Sequence, residues 1–222
     1  MSVKSNIDRL RETVPNDIKL VAVSKFHTVG EIKEAYDDGQ LQFGESRVQE
    51  LFEKQPLLPD DIEWHFVGSL QRNKVRFIAP FISLIHSLDS ERLMREINKR
   101  AKTANRTINC LLQIHVADED SKSGFSPDEC RQFLAKGNWK TYSNVQLAGV
   151  MGMATFTNDV TQVRNEFREL RSLFDEFKAQ YFATDEAFKE LSMGMSGDYI
   201  IAVEEGATII RVGTLIFGER DY

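Results

Sequence analysis

Eight short apolar runs recur along the chain, each long enough for a strand and each followed by room for a helix. This alternation restricts the fold more than any other feature of the sequence. The runs are 19–24 (KLVAVS), 41–45 (LQFGE), 63–67 (EWHFV), 82–86 (ISLIH), 109–115 (NCLLQIH), 146–151 (QLAGVM), 189–192 (KELS) and 208–212 (TIIRV). Helical patterns fill 28–38, 47–54, 71–79, 89–104, 127–136, 158–181 and 198–205, and one more occupies 2–13. Repeated strand–helix units build either an open doubly wound sheet or a closed (β/α)8 barrel. The count of eight, and the lack of a glycine-rich dinucleotide turn after any early strand, favour an α/β TIM barrel with an extra N-terminal helix. Nothing resembling a Pro/Gly/Ser linker divides the chain, so a single domain over 1–222 is expected. In the helix at 158–181, Phe167, Leu170, Phe174 and Phe177 form a stripe that packs on the barrel exterior.

Charge removes whole classes of function. Lys and Arg number 28 against 34 Asp and Glu, a net −6, so no basic field draws nucleic acid or an anionic membrane. Arg72, Lys74 and Arg76 make one locally basic patch, read as a surface helix start. The longest apolar stretch, 77–88, is broken by Pro80 and is too short to span a bilayer. Cys110 and Cys130 make neither a CxxC pair nor a disulfide framework, and MSVKSNIDRLRETV lacks the apolar core of a signal peptide. A cytoplasmic protein is expected. His27, His65, His86 and His115 are dispersed, without metal-ligand spacing, and read as packing or surface residues with no metal. DEDSKSG at 118–124 reads as a solvated strand-to-helix loop, in which Lys122 is a conceivable receiver of a transferred aldehyde.

The chemistry concentrates at strand ends. In a barrel the C-terminal ends of the strands gather around one mouth. Lys25 ends the first strand there, and closure brings the eighth strand, with Arg211, beside it. Two cations at one mouth call for an anion. LSMGMSGDYIIAVEEG supplies small residues and a helix start near Asp198, and VGT follows the eighth strand, together a phosphate cradle of backbone N–H groups. A partly desolvated lysine forms imines, so an aldehyde carrying a phosphate, pyridoxal 5′-phosphate (PLP), satisfies amine, guanidinium and cradle together. Because a guanidinium only donates, a pyridine nitrogen facing Arg211 must accept and stay unprotonated, which weakens the ring as an electron sink.

The stretches VAVSK (21–25), QFGESRVQE (42–50), WHFVGSLQRNK (64–74), IHSLD (85–89), DSKSGF (120–125), GVMGM (149–153) and 191–222 resemble the pyridoxal phosphate homeostasis proteins, the YggS/PROSC family. The resemblance implies a fold-type III barrel like the N-terminal domain of alanine racemase, with PLP as a Schiff base on Lys25. It further implies phosphate contacts from Ser196, Gly197, Gly213 and Thr214, Arg211 opposite the pyridine nitrogen, and Met151 packing on the ring. Ser46 stands where the family commonly has asparagine, and a hydroxyl cannot offer both an amide donor and an amide acceptor. Racemases of this class add a β-rich domain whose tyrosine is the second proton carrier. Here Tyr222 follows the eighth strand's region, so that domain is not expected, nor the dimer it builds. The expectation is a monomeric, non-catalytic carrier in PLP homeostasis, passing PLP to PLP-dependent apoenzymes. The alternative is a small PLP-dependent enzyme, racemase-like, with Lys25 as base and His65 as the other carrier.

Overall fold

The computed structural model describes residues 2–118 and 123–219; Lys122 and Tyr222 lie outside them. Eight parallel strands close on themselves in chain order: β1 (Lys19–Val23), β2 (Gln42–Glu45), β3 (Glu63–Phe66), β4 (Leu84–Leu88), β5 (Ile108–Gln113), β6 (Val145–Met151), β7 (Glu190–Ser192) and β8 (Ile209–Val212). The seam runs between β1 and β8, where Val21 stands opposite Arg211 and Ala22 opposite Val212. This is the (β/α)8 barrel that the alternating pattern predicts.

Helices cover the outside: α1 (Val3–Thr13), α2 (Val29–Asp37), α3 (Val48–Lys54), α4 (Val75–Ile78), α5 (Glu91–Thr103), α6 (Pro127–Lys136), α7 (Val160–Tyr181), α8 (Tyr199–Glu204) and α9 (Thr214–Phe217). Local chemistry marks their ends. Thr28 with Glu31, and Ser126 with Glu129, close capping boxes, and α6 stops at Gly137 in the left-handed conformation. The α7 stripe is buried as expected, Phe167, Leu170, Phe174 and Phe177 being joined by Val163 and Leu173. Each such side chain contributes about 1.5–3 kcal/mol relative to exposure. Helix α1 buries Val3, Ile7 and Leu10, and the Asn6 amide donates to the Ile216 carbonyl at 2.9 Å, tying α1 to α9.

Most boundaries shift by a residue or two from the sequence pattern, and two of the differences have a visible physical reason. Strand β4 starts at Leu84 rather than 82, because the Ile82 N–H still bonds the Ile78 carbonyl at the end of α4. The helix expected over 71–79 is a 3₁₀ turn, Arg72–Lys74, running into the four residues of α4.

The interior is layered. Val21, Leu84, Leu111, Ala148, Met151 and Ile209 form a compact apolar cluster, separate from the larger core between barrel and helices. Among the described residues no helix is long and apolar enough to cross a membrane.

Candidate functional site

Side chains two apart share one face of a strand. From the inward Val21, that period carries Val23 and then Lys25 to the barrel's C-terminal mouth; from Ile209 it carries Arg211 and Gly213 there. All but the two starting residues line one cavity of about 570 Å³, which also receives Ser46, Ser196, Gly197 and Thr214. The mouth expected from the sequence therefore gathers seven of the eight residues assigned to it.

Met151 is the exception. It packs in the interior apolar cluster, and Met153 lines the cavity instead. The pairing of β6 with β5 slips between Cys110 and Leu111, so that Leu147 and Gly149 oppose consecutive residues. The bulge lets Ala148 and Met151, three apart, both reach the interior cluster, and Met153, two residues further along the same face, lies nearer the mouth. Gly149 permits the bulge with φ of +150°, and a Cβ there would lie 1.8 Å from the Glu190 carbonyl oxygen.

The phosphate cradle also differs in its donors. Helix α8 begins at Tyr199, but the N–H groups of Asp198 and Tyr199 both donate to the Met195 carbonyl, at 3.1 and 2.9 Å. The tight 195–198 turn thus consumes donors expected to be open. What faces the cavity is the turn at Ser196 and Gly197, together with Gly213 and the first residue of α9, Thr214, whose N–H has no acceptor within its own helix. Gly213 brings the two strand ends together, since a Cβ there would sit 3.0 Å from the Val23 carbonyl oxygen. The Gly213 N–H reaches the Ser196 hydroxyl at 3.4 Å, which joins the two cradle loops.

Arg211 is fully buried. Its guanidinium donates to the Ser192 hydroxyl at 2.5 Å and to the Gly152 carbonyl at 3.0 Å. Burial lowers its pKa to about 10, with the Asp198 carboxylate opposing the shift. It stays a cation at neutral pH, with N–H groups left for a ligand. Behind it lies a polar chain that sequence reading missed. Ser192 meets His86 Nδ1 at 2.9 Å, and His86 Nε2 meets His65 Nδ1 at 2.9 Å. The Ser192 hydroxyl accepts from Arg211 and has both an O–H and a second lone pair for His86, so either His86 tautomer completes the chain. Burial pushes the His65 pKa down to about 3 and that of His86 well below its ordinary value, so both rings are neutral. The two histidines are a buried pair, not dispersed packing residues. The available signal was register, because His65 stands opposite Leu84 and His86 lies two residues beyond it on the same face.

A second unforeseen cluster lies under the first strand's exit. Lys54 donates to Glu45, to Glu50 and to the Ser24 carbonyl, at 2.8, 2.6 and 2.8 Å. Burial raises the Glu45 pKa, against the pull of Lys54.

The donor set fits a phosphorylated ring aldehyde: an amine, a permanent cation that only donates, and N–H-bearing turns where a Cβ at Gly213 would intrude. The chain matches the family described as alanine racemase, N-terminal domain, over residues 1–221. It is 41% identical to the pyridoxal phosphate homeostasis protein of Aquifex aeolicus, over 93% of this chain and 89% of that one. The structure of PipY from Synechococcus elongatus with PLP bound superposes with a TM-score of 0.88 at 36% identity, covering 98% of this chain and all of that one. An alanine racemase from Clostridium difficile shares the fold, with a TM-score of 0.78 at 13% identity, and this chain spans 57% of its length.

Proposed function

Because the chain belongs to the alanine racemase N-terminal domain family, among the pyridoxal phosphate homeostasis proteins, we propose that it binds PLP and acts in PLP homeostasis as a holder rather than a catalyst. The observation that carries this reading is the meeting of Lys25 and Arg211 at one cavity, on strands that close the barrel. Lys25 would hold PLP covalently, its amine taking the aldehyde carbon with loss of the oxygen as water. Bound PLP would supply an aldehyde and an electron-accepting ring. Arg211 would donate to the ring nitrogen and keep it unprotonated, while Ser196, Gly197, Gly213 and Thr214 would receive the phosphate. Ser46 lines the same cavity and offers a single hydroxyl.

Holding is favoured over turnover for two reasons. The unprotonated ring nitrogen weakens stabilisation of a carbanion. Racemisation also needs a second proton carrier, and His65 does not serve: it is buried, neutral and bonded to His86 below the cavity. On this reading the chain works as a monomer in the cytoplasm and its partners are PLP-dependent apoenzymes.

The test is an absorption spectrum of the PLP-loaded protein before and after borohydride, repeated on Lys25→Ala. Wild type is expected to be yellow, to bleach, and to carry the reduced adduct on Lys25; the variant is expected to be colourless. A colourless loaded wild type, or an equally coloured variant, overturns the imine assignment. Exchange of amino-acid α-protons into heavy water, with turnover, overturns the holder reading.

A further inference from the structure

The amine at Lys25 hangs from a backbone that is gripped by a buried ammonium on one side and a partly buried carboxylate on the other. On the preceding side, the Ser24 carbonyl accepts from Lys54 Nζ at 2.8 Å and from the His27 N–H at 3.0 Å. The Ser24 N–H donates to the Gly44 carbonyl at 2.9 Å, and its hydroxyl donates to Glu45 at 2.7 Å. On the following side, the Phe26 N–H donates to the Glu50 carboxylate at 2.5 Å. Glu50 in turn accepts from Lys54 at 2.6 Å. One ammonium group and one carboxylate therefore fix both peptide planes that flank Lys25.

The conformation so held is a costly one. Phe26 has φ of +69°, in the left-handed region that a bulky L-residue rarely enters. The guanidinium of Arg47 covers its ring at 4.5 Å. Lys54 and Glu45 are buried, and desolvating a charge is expensive unless its hydrogen bonds are all made. A cluster needed only to seat α3 on the barrel could be apolar. This one ends on the two peptide groups that decide where the Lys25 side chain starts.

We propose that Glu50, set in place by Lys54, is a positioning residue for the Lys25 amine, holding the turn at Ser24–Phe26 so that Nζ meets the aldehyde carbon of a ligand seated in the phosphate cradle. The inference rests on the reading that Lys25 is the imine-forming group, and it adds a division of labour. The cradle and Arg211 bind the phosphate and ring, whereas the Lys54–Glu50 clamp governs the covalent bond alone.

That division is measurable with two ligands. PLP reports cradle plus imine; pyridoxine 5′-phosphate, an alcohol in place of the aldehyde, reports the cradle only. In Glu50→Ala, imine formation, read from visible absorbance and from borohydride-fixed mass on Lys25, is expected to weaken about tenfold, the scale of a lost hydrogen bond to a charged group. Binding of pyridoxine 5′-phosphate is expected to change less than about twofold, on the same scale. Glu50→Gln, which keeps an acceptor oxygen for the Phe26 N–H, is expected to recover most of the loss. Glu50→Asp keeps the charge beside Lys54 but falls one methylene short of Phe26, and it carries the test if Glu50→Ala does not fold. Unchanged imine formation in Glu50→Ala and Glu50→Asp, or a parallel loss of both ligands in them, overturns the proposal. If wild type itself forms no imine, the parent reading fails and takes this one with it; a wild type that forms it, with indifferent variants, sinks this one alone.

Discussion

Acid is expected to destabilise the apoprotein through its buried histidine pair well before the carboxylates titrate. His65 and His86 are neutral in the folded chain because burial disfavours the imidazolium, and His65 is held near a pKa of about 3. In the unfolded chain the same rings titrate near about 6.5. The unfolded state therefore binds more protons at intermediate pH. Stability from this source is complete above about pH 6.5 and is lost progressively as pH falls toward the folded value. The limiting slope is about 1.4 kcal/mol per pH unit for each ring. From about pH 7 to about pH 5 the integral for His65 comes to about 2 kcal/mol, and His86 adds a loss of the same sign. Glu45 and Asp198, whose pKa values burial raises, act in the opposite direction, so the comparison needs a variant rather than wild type alone. His65→Asn keeps a polar partner for His86 and cannot titrate. Urea unfolding at the two pH values should show a loss in the variant smaller by about 2 kcal/mol. Equal pH dependence in the two proteins, or a His65 resonance that titrates near about 6.5 in the folded state, would refute the argument.

Three other outcomes follow from local geometry. Gly149→Ala forces a Cβ to 1.8 Å from the Glu190 carbonyl at a backbone φ of +150°, and should cost about 3 kcal/mol or more in denaturant melts, or prevent folding. Cys110 and Cys130 are buried with raised thiol pKa values, Cys130 up to about 12, so neither should react with a thiol reagent near neutral pH until urea opens the barrel. Arg131 grips Glu176 with two bonds at 2.9 and 2.8 Å, yet the pair is half-exposed, and Arg131→Ala should lower stability by less than about 1 kcal/mol.

The barrel was legible because its strands are buried on both faces and so appear as apolar runs whatever their register. The same property hid their boundaries. In 77–88 the end of α4 and the start of β4 are equally apolar, and only the Ile82 hydrogen bond separates them. Lys25 and Arg211 were legible for a topological reason: in a closed parallel barrel, strand ends far apart in sequence share one mouth, so no side-chain detail was needed. Met151 faces inward but packs in the interior cluster, and Met153, two residues on along the same face, lines the cavity; an apolar run does not say how deep in the barrel each residue lies. The Lys54 cluster left no pattern at all, since a lysine closing a short amphipathic helix ordinarily points to water.

On the proposed holder reading, the arrangement of the barrel interior has a physical logic. Inside the barrel the apolar cluster adjoins the chain His65–His86–Ser192–Arg211, Leu84 standing opposite His65 and Met151 opposite Ser192, and Arg211 carries the chain to the cavity. The direct partners of Arg211 in that chain, the Ser192 hydroxyl and the Gly152 carbonyl, are neutral, so its charge is hydrogen-bonded but not cancelled. A buried cation without a bonded carboxylate is costly, and with Asp198 acting on it only through space it keeps much of its attraction for an anionic, acceptor-bearing ligand. Had a carboxylate neutralised Arg211, the guanidinium would sit more comfortably and the mouth would bind a phosphorylated ring less well. Neutral histidines serve that end, because rings held uncharged by burial can orient Ser192 without adding a second positive charge beside Arg211. The acid sensitivity of the pair and the ligand affinity of the mouth then share one origin, the burial of His65, His86, Ser192 and Arg211 together.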